Sequence, residues 1–119
     1  MQDYRKLLVW QKAHALVLLV VRETATFSEL PRRLLRDQIL RAAISIPANI
    51  AEGAGRGTDR DFRRFLTHAL GSANELEYDL LLARDLGALS DAVHARLAAQ
   101  VVEVRRMLSS LMRRLASRR

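Results

Sequence analysis

The chain of 119 residues has no cysteine, two prolines, five glycines, and only one Trp, two Tyr and three Phe. Without cysteine it has neither disulfide bonds nor thiolate metal sites, which is typical of a reducing cytoplasm. The longest uninterrupted apolar run, residues 15–21, is far shorter than the ~20 residues that span a bilayer. We therefore expect a cytoplasmic protein that does not enter a membrane. The length predicts a single domain over residues 1–119.

Helical periodicity is present along the whole chain. Apolar residues recur at steps of three and four in four segments, and strand-like alternation is not evident. The four segments begin near Tyr4, Pro31, Thr58 and Ser90. The first extends to Thr24 or Ala25, and Gly87 ends the third. Because short connections favour antiparallel neighbours, the sequence predicts an all-α, antiparallel up-and-down four-helix bundle.

The apolar run at residues 15–21 covers the full circumference of the first predicted helix. A helix that is apolar all round is buried all round. A lone four-helix bundle of this size cannot bury every side of one of its helices. This run therefore predicts self-association of the chain.

Two stripes run side by side along the second predicted helix. The apolar stripe consists of Ile39, Ala42, Ile46 and Ile50, and the polar stripe consists of Gln38, Arg41, Ser45, Asn49, Glu52 and Arg56. We interpret Gln38, Arg41, Ser45, Asn49 and Glu52 as a hydrogen-bonded subunit interface, in which Arg41 or Arg56 pairs with a carboxylate such as Glu52. A solvated face and a ligand or partner site are the alternatives.

Proline and glycine punctuate the same helix. Pro47 in a helix interior removes the bond to the carbonyl of Ala43, which predicts a kink over residues 43–47; the alternative is that the helix ends and restarts there. The glycine-rich residues 52–58 superficially resemble a phosphate-binding loop, but a preceding strand and a Gly-Lys pair are missing. We interpret them as the turn between the second and third helices.

Four motifs together resemble a known family. They are Val-Trp-Gln-Lys-Ala at 9–13, Arg-Ala-Ala-Ile-Ser-Ile-Pro-Ala-Asn-Ile-Ala-Glu-Gly at 41–53, Phe-Arg-Arg-Phe-Leu at 62–66 and Gly-Ser-Ala-Asn-Glu-Leu at 71–76. In combination they resemble the four-helix-bundle proteins encoded in 23S-rRNA intervening sequences. The resemblance implies a small antiparallel bundle that assembles as a homopentamer, and it implies no catalytic residue. The family is also similar to accessory variability proteins of retroelements, which implies nucleic acid and a reverse transcriptase or other protein as partners.

Positive charge is concentrated at one end of the predicted bundle. An up-and-down topology brings together residues 1–12, 52–66 and 105–119, here called the basic pole. The basic pole holds thirteen Arg or Lys against four Asp or Glu, a net of +9, whereas the rest of the chain holds seven against nine. Such a pole attracts polyanions through counterion release, and the planar fork of arginine suits phosphate.

The candidate nucleic-acid-binding residues are Arg56, Arg60, Arg63, Arg64, Arg106, Arg113, Arg114 and Arg118. We interpret them as contacts to the phosphate backbone of RNA or DNA. The alternative is that they solvate helix ends and complement helix dipoles. Trp10, Phe62 and Phe65 are expected in the core, which leaves little support for base stacking on single strands.

Catalytic and metal-binding patterns are weak. No Glu-x-x-His pair of a di-iron bundle occurs, and His14, His68 and His94 lie in separate predicted helices. Without a nucleophile coupled to a base, we expect no enzymatic activity, no metal and no cofactor. The sequence predicts a non-catalytic nucleic-acid-binding or ribonucleoprotein accessory protein. The alternative is a protein-only scaffold or adaptor that recruits an acidic protein partner.

Overall fold

The computed structural model describes residues 3–118, which form four α-helices and include no β-strand. A short 3₁₀ helix, Tyr4–Lys6, precedes α1 (Leu8–Glu23), α2 (Arg32–Ala54), α3 (Asp59–Asp85) and α4 (Asp91–Ser117). The helices pack into a rod with extents of 49 × 20 × 20 Å. The all-α prediction is confirmed.

The four helices form a closed ring in chain order. Each helix packs against its sequence neighbours, α4 returns to pack against α1, and the pairs α1 with α3 and α2 with α4 are diagonal. Lys12 near the start of α1 pairs with Glu103, and Glu23 at its end pairs with Arg96. Because the partners on α4 come in reverse order, α1 and α4 are antiparallel. The prediction of an up-and-down four-helix bundle is confirmed.

One face of every helix lines a common core. Its largest fully buried side chains include Leu16, Ile39, Ile46, Ile50, Leu66, Leu76, Leu80, Leu97 and Leu108. Burying each such side chain stabilises the fold by about 1.5–3 kcal/mol. The predicted apolar stripe of the second helix, including Ala42, lies in this core.

The start of α1 differs from the prediction. The helix begins at Leu8, because Leu7 is extended (φ −77°, ψ 125°) and separates α1 from the 3₁₀ helix. The Asp3 carboxylate accepts a hydrogen bond from the Arg5 N–H at 3.1 Å, and the Leu7 N–H donates to the Tyr4 carbonyl at 3.0 Å. These local bonds close a tight turn where the periodicity predicted α-helix.

Helix α2 runs through Pro47 without interruption, so the alternative in which the helix ends and restarts there is wrong. Pro31 lies at the N-cap of α2, immediately before its first helical residue. The helix continues to Ala54, and the left-handed residue of the turn that follows is Gly57, with φ +90°.

The predicted signals at the other helix ends are confirmed. Thr58 Oγ1 accepts from the Asp61 N–H, and Ser90 Oγ accepts from the Val93 N–H, both at 3.1 Å. Gly87 follows the end of α3 in a left-handed conformation, with φ +77°. The termini of α3 and the start of α4 are therefore fixed by local chemistry.

Small residues allow α2 and α3 to approach closely. A Cβ added to Gly53 would lie 2.8 Å from Phe65 Cβ and 2.9 Å from Phe62 Cδ1. Further along the same pair, the Oγ atoms of Ser45 and Ser72 are 2.8 Å apart. These contacts hold α2 and α3 in a fixed register.

Candidate nucleic-acid interface

The three segments of the basic pole meet at one end of the rod. Arg118 Nε lies 3.1 Å from Asp59 Oδ2, so the end of α4 lies beside the start of α3. A cavity of ≈100 Å³ at the same place is lined by Gly53, Gly57 and Arg118, among others. The start of α1 adjoins the end of α4, because Leu7 and Arg114 line a shared cavity.

Two arginines of the basic pole are organised around Phe65. The guanidinium carbons of Arg56 and Arg64 lie 4.8 and 5.0 Å from the centre of its ring. Arg56 Nε also lies 3.4 Å from Glu52 Oε2, and Arg64 Nη2 lies 3.9 Å from Asp61 Oδ1. Exposed ion pairs of this kind are weak, about 0–1 kcal/mol, so they leave both guanidiniums available to a phosphate.

The aromatic residues depart in part from the expectation that they form core. Phe62 is buried, as predicted. Trp10 is half-buried and packs against the core, whereas Phe65 is half-buried and lies outside it, so the placement of Phe65 in the core was wrong. Phe65 lies at the α2–α3 surface below the two arginines, and Trp10 stacks on His14 with ring centres 4.9 Å apart.

Five of the eight candidate arginines have no carboxylate within 4.0 Å among residues 3–118. They are Arg60, Arg63, Arg106, Arg113 and Arg114. The Nε atom of Arg63 is buried and has no hydrogen-bond partner in this part of the chain. The surplus of positive charge in the sequence is therefore not neutralised by neighbouring side chains.

Two of these arginines line an open groove between α3 and α4. This arginine groove has a volume of ≈300 Å³ and is lined by Leu70, Asn74, Arg105, Arg106, Ser109 and Arg113. Arg105 Nη1 donates to Glu77 Oε1 at 2.8 Å and to Asn74 Oδ1 at 3.3 Å. Arg105 is absent from the nucleic-acid-binding residues that the sequence predicts. Its spacing of four from Ser109 and of eight from Arg113, which places all three on one helix face, is the signal that identifies it.

Arg114 points to a different side of the rod. It lines a cavity of ≈180 Å³ between α1 and α4, together with Leu8 and Met107. Its Nη1 atom donates to Ser110 Oγ at 3.2 Å. The eight candidate arginines therefore do not form a single pocket. Seven of them lie towards one end of the molecule, whereas Arg106 lies beside Leu70 and Asn74, near the middle of α3.

Part of the polar stripe is satisfied within the chain. Asn49 Nδ2 donates to the Ser45 carbonyl at 2.8 Å and to Ser45 Oγ at 2.9 Å, and Ser45 in turn bonds Ser72. The carboxylate that pairs with Arg56 is Glu52, four residues earlier on α2. Gln38 and Arg41 are exposed and make no side-chain hydrogen bond to any described residue. The subunit interface stays a prediction, and Gln38 and Arg41 are the members of the stripe without a side-chain partner among the described residues.

Apolar side chains are exposed on both α1 and α2. Within the apolar run at 15–21, Leu16 and Val20 are buried, whereas Leu18 is 59% exposed. Ile44 of α2 is 51% exposed. One chain thus covers only one side of this run, as the argument for self-association expects, and self-association itself stays a prediction.

Asp79 is a buried carboxylate on α3. The residue is 4% exposed, and its Oδ2 atom has no hydrogen-bond partner within residues 3–118. Burial, with a smaller contribution from the Glu75 carboxylate, raises the pKa of Asp79 above its ordinary value.

Residues 3–118 contain no group of three or more His, Asp or Glu side chains that converge as a metal site would require. None of the four helices combines the length and the apolar character needed to cross a bilayer.

Comparison with known proteins identifies similar sequences and folds. A family model described as "23S rRNA-intervening sequence protein" matches residues 5–110. The fold is similar to the crystal structure of a protein of unknown function from the S23 ribosomal protein family of Bacteroides thetaiotaomicron, with a TM-score of 0.80. The two chains are 27% identical, and the match covers 88% of this chain and 98% of the other. No curated protein matches the sequence.

Proposed function

Because the chain belongs to the 23S rRNA-intervening sequence protein family, we propose that it is a non-catalytic, oligomeric accessory protein of the cytoplasm that binds RNA. The basic pole contacts the phosphate backbone. The observation that carries this proposal is the set of five arginines of the basic pole that have no described carboxylate partner, within segments that carry a net charge of +9 in the sequence.

Backbone contacts account for the arrangement better than base recognition does. The arginines face several sides of the molecule, as Arg113 and Arg114 do on α4. This arrangement suits contact with the phosphates of a folded RNA chain better than recognition of a base in one pocket. Contacts of this kind fix position and carry no direct sequence information. The protein is therefore expected to bind many RNA sequences with similar affinity, and duplex DNA by the same charges.

Self-association is part of the proposal. The exposed side chains of Leu18 and Ile44 supply apolar area for contact between copies. The homopentamer is the assembly that the family resemblance implies. In a ring of parallel copies the basic poles share one rim, so weak single contacts add through multivalency.

The test is fluorescence anisotropy of the nuclease-treated protein with labelled RNA and labelled duplex DNA across a salt series. The variant Arg106→Gln/Arg113→Gln removes two charges from the basic pole. The matched control, Arg32→Gln/Arg33→Gln, removes two charges at the start of α2, outside the pole. For duplex DNA the logarithm of affinity should fall with a slope of about −0.9 per neutralised phosphate.

We expect the pole variant to bind more weakly with a flatter salt slope, and the control to behave like the wild type. Equal effects of the two variants would assign binding to net charge alone. No binding of any nucleic acid at low salt would contradict the proposal and favour the alternative of an acidic protein partner, whose shape-complementary binding tolerates salt.

A further inference from the structure

A second groove continues the arginine groove along α3 and α4. This tyrosine groove has a volume of ≈420 Å³ and is lined by Asn74, Glu77, Tyr78, Leu81, His94 and Ala98. Asn74 belongs to both grooves. From Leu70 to Leu81 the two grooves together extend about 16 Å along α3, at 1.5 Å per residue.

Tyr78 is the unusual member of this surface. Its side chain is 61% exposed, whereas the other aromatic side chains of residues 3–118 are buried or half-buried. No aromatic ring of residues 3–118 stacks on it. An exposed aromatic ring beside an apolar groove offers a flat surface on which a planar ring can stack.

Arg105 lies where the two grooves meet. Its Nη1 atom is held by Glu77 and Asn74, whereas its Nε and Nη2 atoms have no hydrogen-bond partner among the described residues. A guanidinium that is fixed on one side and has donors left on the other is positioned to bind an anion. Arg106 and Arg113 bring two more positive charges to the same side, against the single carboxylate of Glu77.

We propose that the groove between α3 and α4 binds a short segment of single-stranded RNA. Arg105, Arg106 and Arg113 hold its phosphates, and Tyr78 stacks on one unpaired base. The inference rests on the proposed function and adds a preference for single strands to it, because a base within a duplex is not available for stacking. Charge favours this occupant over an apolar helix, because an apolar helix would bury the arginines without a partner.

The test compares a labelled single-stranded RNA with the duplex formed by the same strand and its complement. Tyr78→Leu removes the ring but keeps an apolar side chain, and Tyr78→Phe keeps the ring. Leu34→Ala truncates another highly exposed side chain, on α2 away from the groove. Light scattering of each variant reports the mass of the assembly.

We expect Tyr78→Leu to weaken single-strand binding by about 5- to 150-fold, the range of one base stack, and to leave duplex binding and the assembly mass unchanged. Tyr78→Phe and Leu34→Ala should keep the wild-type affinity. In a photocrosslinking experiment with 5-iodouridine RNA, the modified peptide should contain Tyr78.

Unchanged single-strand binding in Tyr78→Leu, with salt-dependent binding intact, would overturn the stacking site and leave the proposed function standing. Absence of binding to both probes would overturn both. A smaller assembly in Tyr78→Leu would show that Tyr78 contacts another copy of the chain, which also overturns the stacking site.

Discussion

The contact between α2 and α3 and the surface between α3 and α4 share helix α3 but differ in how closely the helices pack. In the first, Gly53 lies against Phe62 and Phe65, and Ser45 bonds Ser72, so the helices are in close contact. In the second, the helices leave two open grooves that are lined by arginines and a tyrosine. The most distinctive motif of the sequence, at residues 41–53, forms the close contact between α2 and α3. The open surface comes from α3 and α4, whose patterning is the most ordinary.

The largest effect should separate two glycines, one packed between α2 and α3 and one exposed on α3. Gly53→Ala should lower the stability of the fold by about 1–3 kcal/mol, because the new methyl group overlaps Phe65 and Phe62. Gly71 in α3 has no atom near its Cβ direction, so Gly71→Ala should raise stability by up to about 1 kcal/mol through helix propensity. Urea unfolding followed by circular dichroism measures both.

Losses of similar size in the two glycine variants would contradict the close approach of α2 and α3 at Gly53. A loss in Gly71→Ala that is accompanied by a smaller assembly would place Gly71 at a contact between copies.

The next effect concerns the hydrogen bond between Ser45 of α2 and Ser72 of α3. Ser45→Ala should destabilise the fold by about 1 kcal/mol, because it leaves Ser72 Oγ without this partner and removes one acceptor of Asn49. In a double-mutant cycle with Ser72→Ala, the double variant should lose less than the sum of the two single variants. Strict additivity would show that the serine pair contributes no coupling.

Asp79, a buried carboxylate on α3, makes the stability of the fold depend on pH. Its raised pKa means that the folded chain binds the proton more tightly than the unfolded chain. Stability should therefore fall as pH rises from the ordinary carboxyl range through the raised pKa. Asp79→Asn should gain about 1 kcal/mol at pH 7, and this gain should vanish below about pH 4.

Thermal melts across pH measure the effect of Asp79→Asn. A loss of stability at pH 7, particularly one that depends on protein concentration, would indicate that the carboxylate is paired with a group from outside the single chain.

The smallest effect on stability is expected at the open groove. Glu77→Gln removes the carboxylate that pairs with Arg105 and should change the free energy of unfolding by less than about 1 kcal/mol. It should nevertheless tighten RNA binding, because the open surface loses a negative charge, while the amide oxygen of the new side chain can still accept from Arg105 Nη1 and hold it in place. Glu103→Gln is a matched control, since Glu103 pairs with Lys12 between α1 and α4. Equal gains in the two variants would point to total charge and not to the groove.

The sequence was sufficient for the features that depend on local chemistry. Periodicity identified the four helices, and the caps at Thr58 and Ser90 follow from hydroxyl groups that accept a nearby N–H. It was insufficient at Leu7, where a few local hydrogen bonds outweigh helix propensity.

The candidate site was harder to read from the sequence. The distribution of charge along the sequence, together with the up-and-down topology, predicted the end of the bundle at which most of the arginines lie. Tyr78 went unnoticed because a lone aromatic residue in a helix gives no signal, and its exposure depends on how far α3 and α4 separate. The shape of a groove arises from two helices together, and neither helix alone encodes it.

The rod shape, 49 Å long and 20 Å across, gives the uneven charge a direction. With its positive excess at one end, each molecule is an electric dipole along its long axis. A polyanion would turn this dipole during approach, so that the basic end arrives first and more collisions are productive. Added salt should therefore slow the association of the protein with RNA more than it speeds the departure of the complex.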